Sequence, residues 1–91
     1  MTRFVWDAFK EIDNILKHDV DFETAMLAFR DPYCRILYDP GHSQNEDRFF
    51  CIAKVENKIL TVRFTFRGYD IRIIGAGYWR KGKTIYEKKN R

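Results

Sequence analysis

The hydrophobic period of this chain changes at Asp31-Pro32, and that change limits the folds open to it. Upstream, apolar residues recur every three or four positions, the mark of amphipathic helices; downstream they alternate, the mark of half-buried strands. Arg3–Trp6 reads as a short first strand. Asp7 offers an N-cap, and Phe9, Ile12, Ile15 and Leu16 then form a helical stripe running to Lys17-His18. Asp21 caps a second helix with Phe22, Ala25, Met26 and Phe29 on one stripe, which Asp31-Pro32 stops because the residue before proline is pushed out of helical space. Both stripes are assigned to the core.

After Pro32, Tyr33–Tyr38 reads as a strand and residues 39–46 as a polar loop. Arg48–Lys54, Ile59–Phe66 and Tyr69–Ala76 follow as strands joined by tight turns at Glu56-Asn57 and Arg67-Gly68. Trp79–Lys89 reads as a basic C-terminal helix weakened by Gly82. Residues 1–91 therefore predict one α+β domain: two N-terminal helices on one face of an antiparallel four- to five-stranded sheet, then the C-terminal helix.

Strand register sharpens this. With Arg67-Gly68 as a two-residue loop, Phe66 faces Tyr69, Phe64 faces Ile71 and Val62 faces Ile73, so apolar meets apolar. The same register sets Arg63 opposite Arg72 on the other face, a repulsive pairing. Across Glu56-Asn57, Phe49, Cys51 and Ala53 join the apolar face, while Arg48 lands opposite Thr65 and Phe50 opposite Arg63. One face packs on the helices; the other presents Arg48, Arg63 and Arg72 with Thr61, Thr65 and Phe50. Three arginines on one face call for an anion. Ion pairs to Asp39, Glu46, Asp70 or Glu87 are one answer, and a phosphate held by guanidinium forks, with Phe50 stacking a base, is the other.

Charge distribution points to a polyanionic partner, nucleic acid most commonly, with an acidic protein as the rival. From residue 48 onward twelve cations face three acids, a net +9; since the whole chain carries +4, the first 47 residues carry −5. Such polarity suits a polyanion met by one half only. Cys34 and Cys51 are too few for a disulfide framework and lack metal spacing, which suggests reduced thiols and a cytoplasmic setting. No apolar run is long enough to span a membrane, and the N-terminus reads as amphipathic rather than as a signal peptide. There is no P-loop, GxGxxG or HExxH; Gly75-Ala-Gly77 alone is a poor dinucleotide signal. Asp39, His42, Glu46 and Asp47 lack the second histidine or cysteine a metal site would want, so no metal or cofactor is expected.

RNA brings its own nucleophile, the 2′-hydroxyl. A chain that cleaves it needs preorganised charge for the phosphorane and groups that move protons. The arginines supply the first. His42, in Asp39-Pro-Gly-His-Ser43, and His18, at a helix end where a cation also satisfies the dipole, are candidates for the second. Tyr86 can donate a proton, stack or simply pack its helix. Lys10 and Lys17 share a helix with His18, and both can serve merely to solvate it.

The ordered series Phe4-Val-Trp6-Asp7, Lys10, Asn14, Lys17-His18, Val20 and Phe22 resembles the opening of BrnT toxins. So do Phe29-x-Asp31-Pro32, Asp39-x-x-His42-Ser43-x-x-Glu46-x-Arg48, Leu60-x-Val62-x-x-Thr65-x-Arg67-Gly68, Ile71-Arg72-Ile73-Ile74 and Ile85-Tyr86-Glu87. The resemblance implies a RelE-like fold, RNA cleavage, and neutralisation by a BrnA-like ribbon-helix-helix antitoxin through which alone the complex touches DNA. It sets Lys17, His18, Arg48, Arg67 and Arg72 at family motif positions. One departure stands out: where the family ends its last strand Ile-Ile-Ser-Ala-Arg, this chain has Ile73-Ile74-Gly75-Ala76-Gly77. Arg80 or Lys81 is the candidate replacement for the missing arginine. Catalytic candidates are thus Arg48, Arg63, Arg72, His18 and His42; RNA-binding candidates are Lys17, Phe50, Arg67, Arg80, Lys81 and Tyr86. A non-catalytic antitoxin partner and co-repressor is the alternative, and an enzyme acting on another phosphorylated substrate is a third.

Overall fold

The computed structural model describes residues 2–90. In chain order it contains β1 (Arg3–Trp6), α1 (Ala8–His18), α2 (Phe22–Leu27), a 3-10 turn (Ala28–Arg30), β2 (Arg35–Tyr38), a second 3-10 turn (Pro40–His42), β3 (Phe49–Val55), β4 (Lys58–Arg67), β5 (Asp70–Gly77) and α3 (Arg80–Lys89). The five strands form one sheet in the order β1-β5-β4-β3-β2. β2 through β5 are antiparallel, and β1 adds to β5 in parallel, so the sheet is mixed. This is the α+β, RelE-like arrangement that the sequence led us to expect, except that the sheet is mixed where an antiparallel one was expected, because β1 joins β5 in parallel.

Local chemistry accounts for the helix starts. The Asp7 carboxylate accepts from the Phe9 and Lys10 amides, and that of Asp21 accepts from Thr24, each satisfying N-terminal donors that have no partner within the helix. α2 and the following turn bury Phe22, Ala25 and Ala28 against Cys51, Leu60, Val62, Phe64 and Ile73 on one sheet face. Thr61, Arg63 and Thr65 of β4, with Phe50 and Ile52 of β3, lie on the opposite face.

The sequence-derived register is correct between β3 and β4, where Phe50 pairs with Arg63 and Cys51 with Val62. Both turn residues, Glu56 and Asn57, have positive φ, as a type I′ hairpin requires. Between β4 and β5 the register needs correction. The two loop residues are Gly68-Tyr69, not Arg67-Gly68, because the first loop position demands positive φ and Gly68 adopts +61° there. Pairing consequently shifts by two residues, which preserves the faces but changes the partners: Phe66 meets Ile71, Phe64 meets Ile73, and Thr65 meets Arg72. An irregularity beside Arg63 then sets that arginine against Gly75. The expected Arg63–Arg72 repulsion does not arise.

Two further corrections concern helices. α3 packs on the face opposite α2, with Ile85 and Tyr86 against Ile52 and Ile59, so the helices do not share one side. Gly82 makes that contact possible, since a Cβ there would collide with the Thr61 hydroxyl. α3 therefore covers part of the arginine face, on which Phe50, Arg63 and Arg72 stay partly exposed.

α1 is not a core helix of the expected kind. Its stripe points to solvent: Phe9 is 82% exposed and Leu16 81%, with Ile12 and Ile15 also exposed. Its buried residue is polar. Asn14 donates to the Val20 and Ala76 carbonyls at 2.9 and 3.0 Å and accepts from the Ala76 amide at 3.1 Å. The pairing of β1 with β5 ends at Trp6 and Ile73, so Asn14 completes the β5 edge where the neighbouring strand has run out. Physically, a side-chain amide replaces the missing strand's donor and acceptor.

Candidate active site

Asn14 anchors α1 across the edge of β5, and that placement brings the adjacent polar face of the helix over the arginine face. Lys10, Asp13, Lys17 and His18 from α1 line a cleft of about 240 Å³ with Arg63 and Ile74. Arg63 is the centre of this cleft. Its guanidinium lies over Gly75, where a Cβ would approach Nη2 to 2.9 Å, and its Nε is buried without a hydrogen-bond partner. Among the described residues no carboxylate lies within ion-pair reach of Arg63 or Arg72. Arg72, half-buried on the same face, sits opposite Thr65. Lys17 bonds Asp13 at 3.0 Å, one helical turn back, in an exposed pair of small energetic weight.

The other candidates are placed differently. Arg48 is neutralised by Glu46, to which its Nε and Nη2 donate at 3.0 and 2.9 Å; Arg67 lies 3.9 Å from the same carboxylate. Asp70 is occupied by Arg3, through contacts of 2.7 and 3.1 Å. His42 is exposed and joined through Nδ1 to Asp39 at 2.9 Å, in the loop beyond β2 and apart from the Arg63 cleft. His18 stands at the cleft, its ring edge-on to Trp79 at 5.1 Å between centroids. Trp79 lies over Gly77. Its indole covers Gly77 so closely that a Cβ there would come within 2.7 Å of ring atoms, leaving no space for an arginine. Neither proposed replacement enters the cleft: Arg80 lies with Lys58, Lys83 and Glu87 beside α3, and Lys81 borders a separate apolar cavity.

Tyr86 is buried in the α3–sheet contact, where its hydroxyl donates to Asp31 at 2.6 Å. Burial and the Asp31 carboxylate push its pKa up to about 12. It packs the helix and is not presented to a ligand. Asp31 itself is destabilised as an anion by burial, but hydrogen bonds from Tyr86, Lys54 and Tyr33 outweigh this and hold its carboxyl below the ordinary value. A raised folded-state tyrosine pKa contributes stability that is complete below the unfolded value of about 10 and lost as pH rises toward the folded one. Stability of the native chain should therefore fall between pH 10 and about 12 more steeply than in Tyr86→Phe, in denaturant melts across that range. Parallel curves would show that this hydrogen bond is not coupled to folding.

Sequence reasoning did not place Asp13, Asn14 or Trp79 at the site. Lys10 it placed in the family series and read as solvating its helix, not at a site. Among the described residues no three of His, Cys, Asp and Glu gather as a metal site would require. No helix among them is long and apolar enough to cross a membrane. Cys51 is buried, which raises its thiol pKa, and both cysteines are free.

A comparison with curated proteins finds no match. The family model described as a ribonuclease toxin, BrnT, of type II toxin-antitoxin systems matches residues 6–82, a span that runs from the last residue of β1 through α1, α2 and β2–β5 to the start of α3. With most of the chain and every wall of the cleft inside that match, the protein belongs to the BrnT family of ribonuclease toxins.

Proposed function

We propose that this chain cleaves RNA at the α1–β4 cleft by attack of the substrate's own 2′-hydroxyl, without a metal ion. One observation carries the reading: Arg63 offers a partly buried guanidinium with no carboxylate partner among the described residues, inside a cleft flanked by Lys10, Lys17 and His18. A phosphodiester supplies the missing anion, and the guanidinium fork fits two of its oxygens. Neutral His18 takes the 2′ proton as the 2′ oxygen bonds to phosphorus. Arg63, with a weaker contribution from Arg72 on the same face, stabilises the charge that gathers on the phosphorane. The bond to the 5′ oxygen then breaks, and that oxygen receives a proton from a cleft ammonium, Lys10 or Lys17. The products are a 2′,3′-cyclic phosphate end and a 5′-hydroxyl end. Induced expression of the chain should arrest bacterial growth with decay of total RNA, and Arg63→Ala should relieve both. Normal growth at confirmed soluble expression would contradict it.

The partner is a BrnA-like antitoxin of the ribbon-helix-helix class, which alone contacts DNA, and the surface we assign to it is the α1 stripe. A contiguous exposed row of Phe9, Ile12, Ile15 and Leu16 is uncommon on a chain that works alone, and the family description, which names a toxin-antitoxin system, supports a partner for it. The opposite flank of the same helix lines the cleft, so an antitoxin seated there would border the active site. Leu16→Glu should leave melting and RNA cleavage unchanged while weakening the antitoxin complex by more than about 10-fold, the scale of an interface hot spot. Full affinity in that variant would move the interface elsewhere.

A second reading has its own observation. Trp79 fills the space over Gly77 where the family resemblance has an arginine, so a catalytically weak chain that serves as co-repressor through the antitoxin would show the same cleft. RNA decay on expression separates the two.

A further inference from the structure

A second cavity opens on the same sheet face, between α3, β2–β4 and the Pro40–His42 turn. It measures about 560 Å³, and its walls are mainly apolar: Leu37, Phe50, Ile52, Trp79 and Ile85, with Lys81 among the lining residues. We infer that it holds a nucleobase of the RNA strand whose phosphate lies at Arg63. The inference rests on the reading of the cleft given above and adds a binding subsite to it.

Position is the first argument. Phe50 is the direct cross-strand partner of Arg63, so one strand pair supplies the cavity wall and the cleft's guanidinium. Trp79 joins the two spaces from above, lining the cavity while its ring stands edge-on to His18 in the cleft. A single strand laid across this face with a phosphate at Arg63 has its neighbouring base beside Phe50 and Trp79.

Chemistry is the second. Three aromatic residues, Tyr38, Phe50 and Trp79, in a mainly apolar pocket suit the flat π-surface of a base, which stacks on aromatics whatever its sequence. Polar groups occur only at selected points of the lining, as in small-molecule sites generally. The Asp39 carboxylate, buried and held by the Gly41 amide and His42, can accept from an exocyclic amino group of cytosine or adenine. Lys81 supplies a cation for a phosphate or a base carbonyl. The volume lies within the range of pockets that enclose ligands of this size.

The test is calorimetric titration of the intact chain with the four ribonucleoside 3′-monophosphates and with ribose 3-phosphate, which lacks a base. At least one nucleotide should bind about 10-fold tighter than the base-free phosphate, the scale of one base–aromatic stack. Leu37→Trp, which fills the cavity, should abolish that difference, and Ile85→Phe provides the same test if the first variant does not fold. Arg63→Ala should weaken every ligand alike. Equal binding of nucleotide and ribose phosphate by the native chain, or undiminished preference in a folded, filled variant, overturns the inference. So does a filled variant that loses antitoxin binding but keeps nucleotide preference, because the cavity then belongs to the protein partner. RNA cleavage without base preference would overturn the subsite and leave the cleft reading standing; base preference without RNA cleavage would do the reverse.

Discussion

Arg63→Ala should lower the rate of RNA cleavage by about 10²- to 10³-fold, the cost of removing one preorganised donor from a developing oxyanion. The fold should hardly notice. Arg63 makes no ion pair among the described residues, and its cross-strand partners are Phe50 and Gly75. Loss of the side chain leaves no buried carboxylate stranded, so the melting temperature should stay within a few degrees of native. Arg63→Lys should restore only part of the rate, since an ammonium keeps the charge but not the two-pronged geometry. Arg72→Ala should cost less than Arg63→Ala, because Arg72 lies outside the α1-lined cleft. Arg48→Ala should have the smallest effect on rate, its charge being committed to Glu46. Initial rates on a short labelled RNA, measured with thermal melts of the same preparations, check the whole series. Equal losses for all three arginines would point to general electrostatics rather than to a site at Arg63.

The largest effect on stability is expected at Asn14, not in the apolar core. Replacing it with alanine strands the Ala76 amide, the Ala76 carbonyl and the Val20 carbonyl inside the protein. Unsatisfied buried groups cost about 1–3 kcal/mol each, so three of them total roughly 3–9 kcal/mol. In a domain of this size that corresponds to a melting temperature lower by roughly 15 °C or more. Asn14→Leu separates the bonds from the volume they occupy, since leucine fills the space but pairs with nothing. It should be nearly as damaging as alanine. A stable leucine variant would show that α1 is held by packing rather than by the completed strand edge. Either variant should also reduce RNA cleavage, because Lys17, His18 and Lys10 reach the cleft only through the seating of α1.

Much of this fold is written in local patterns, and the exceptions have physical causes. The caps at Asp7 and Asp21, the stop at Pro32 and the Glu56-Asn57 turn are decided by a few adjacent residues, so they were legible. The β4–β5 register was misjudged by two because apolar matching is satisfied by any even shift. The turn decided between them, since glycine accepts the positive φ that arginine resists. Period-three spacing showed that α1 has an apolar stripe but not that the stripe lies outside. What sets it there is non-local: β5 outruns β1, and Asn14 meets the exposed edge. Sequence geometry singled out Arg63 although the family motif did not, and alternation alone was enough to put it on the open face. Trp79 was missed because its role depends on lying over Gly77, a contact that neither residue signals alone.

The central claim is chemical: the cleft cuts RNA with the substrate's own 2′-hydroxyl. The most direct measurement gives the purified native chain a single-stranded RNA in excess chelator, beside the same RNA carrying one 2′-deoxyribose immediately 5′ of its main cut. The account predicts continued cleavage of the first to a 2′,3′-cyclic phosphate end, and loss of that one cut in the second. Cleavage at the deoxy position, or activity that vanishes with the chelator and returns with a divalent metal, would contradict it.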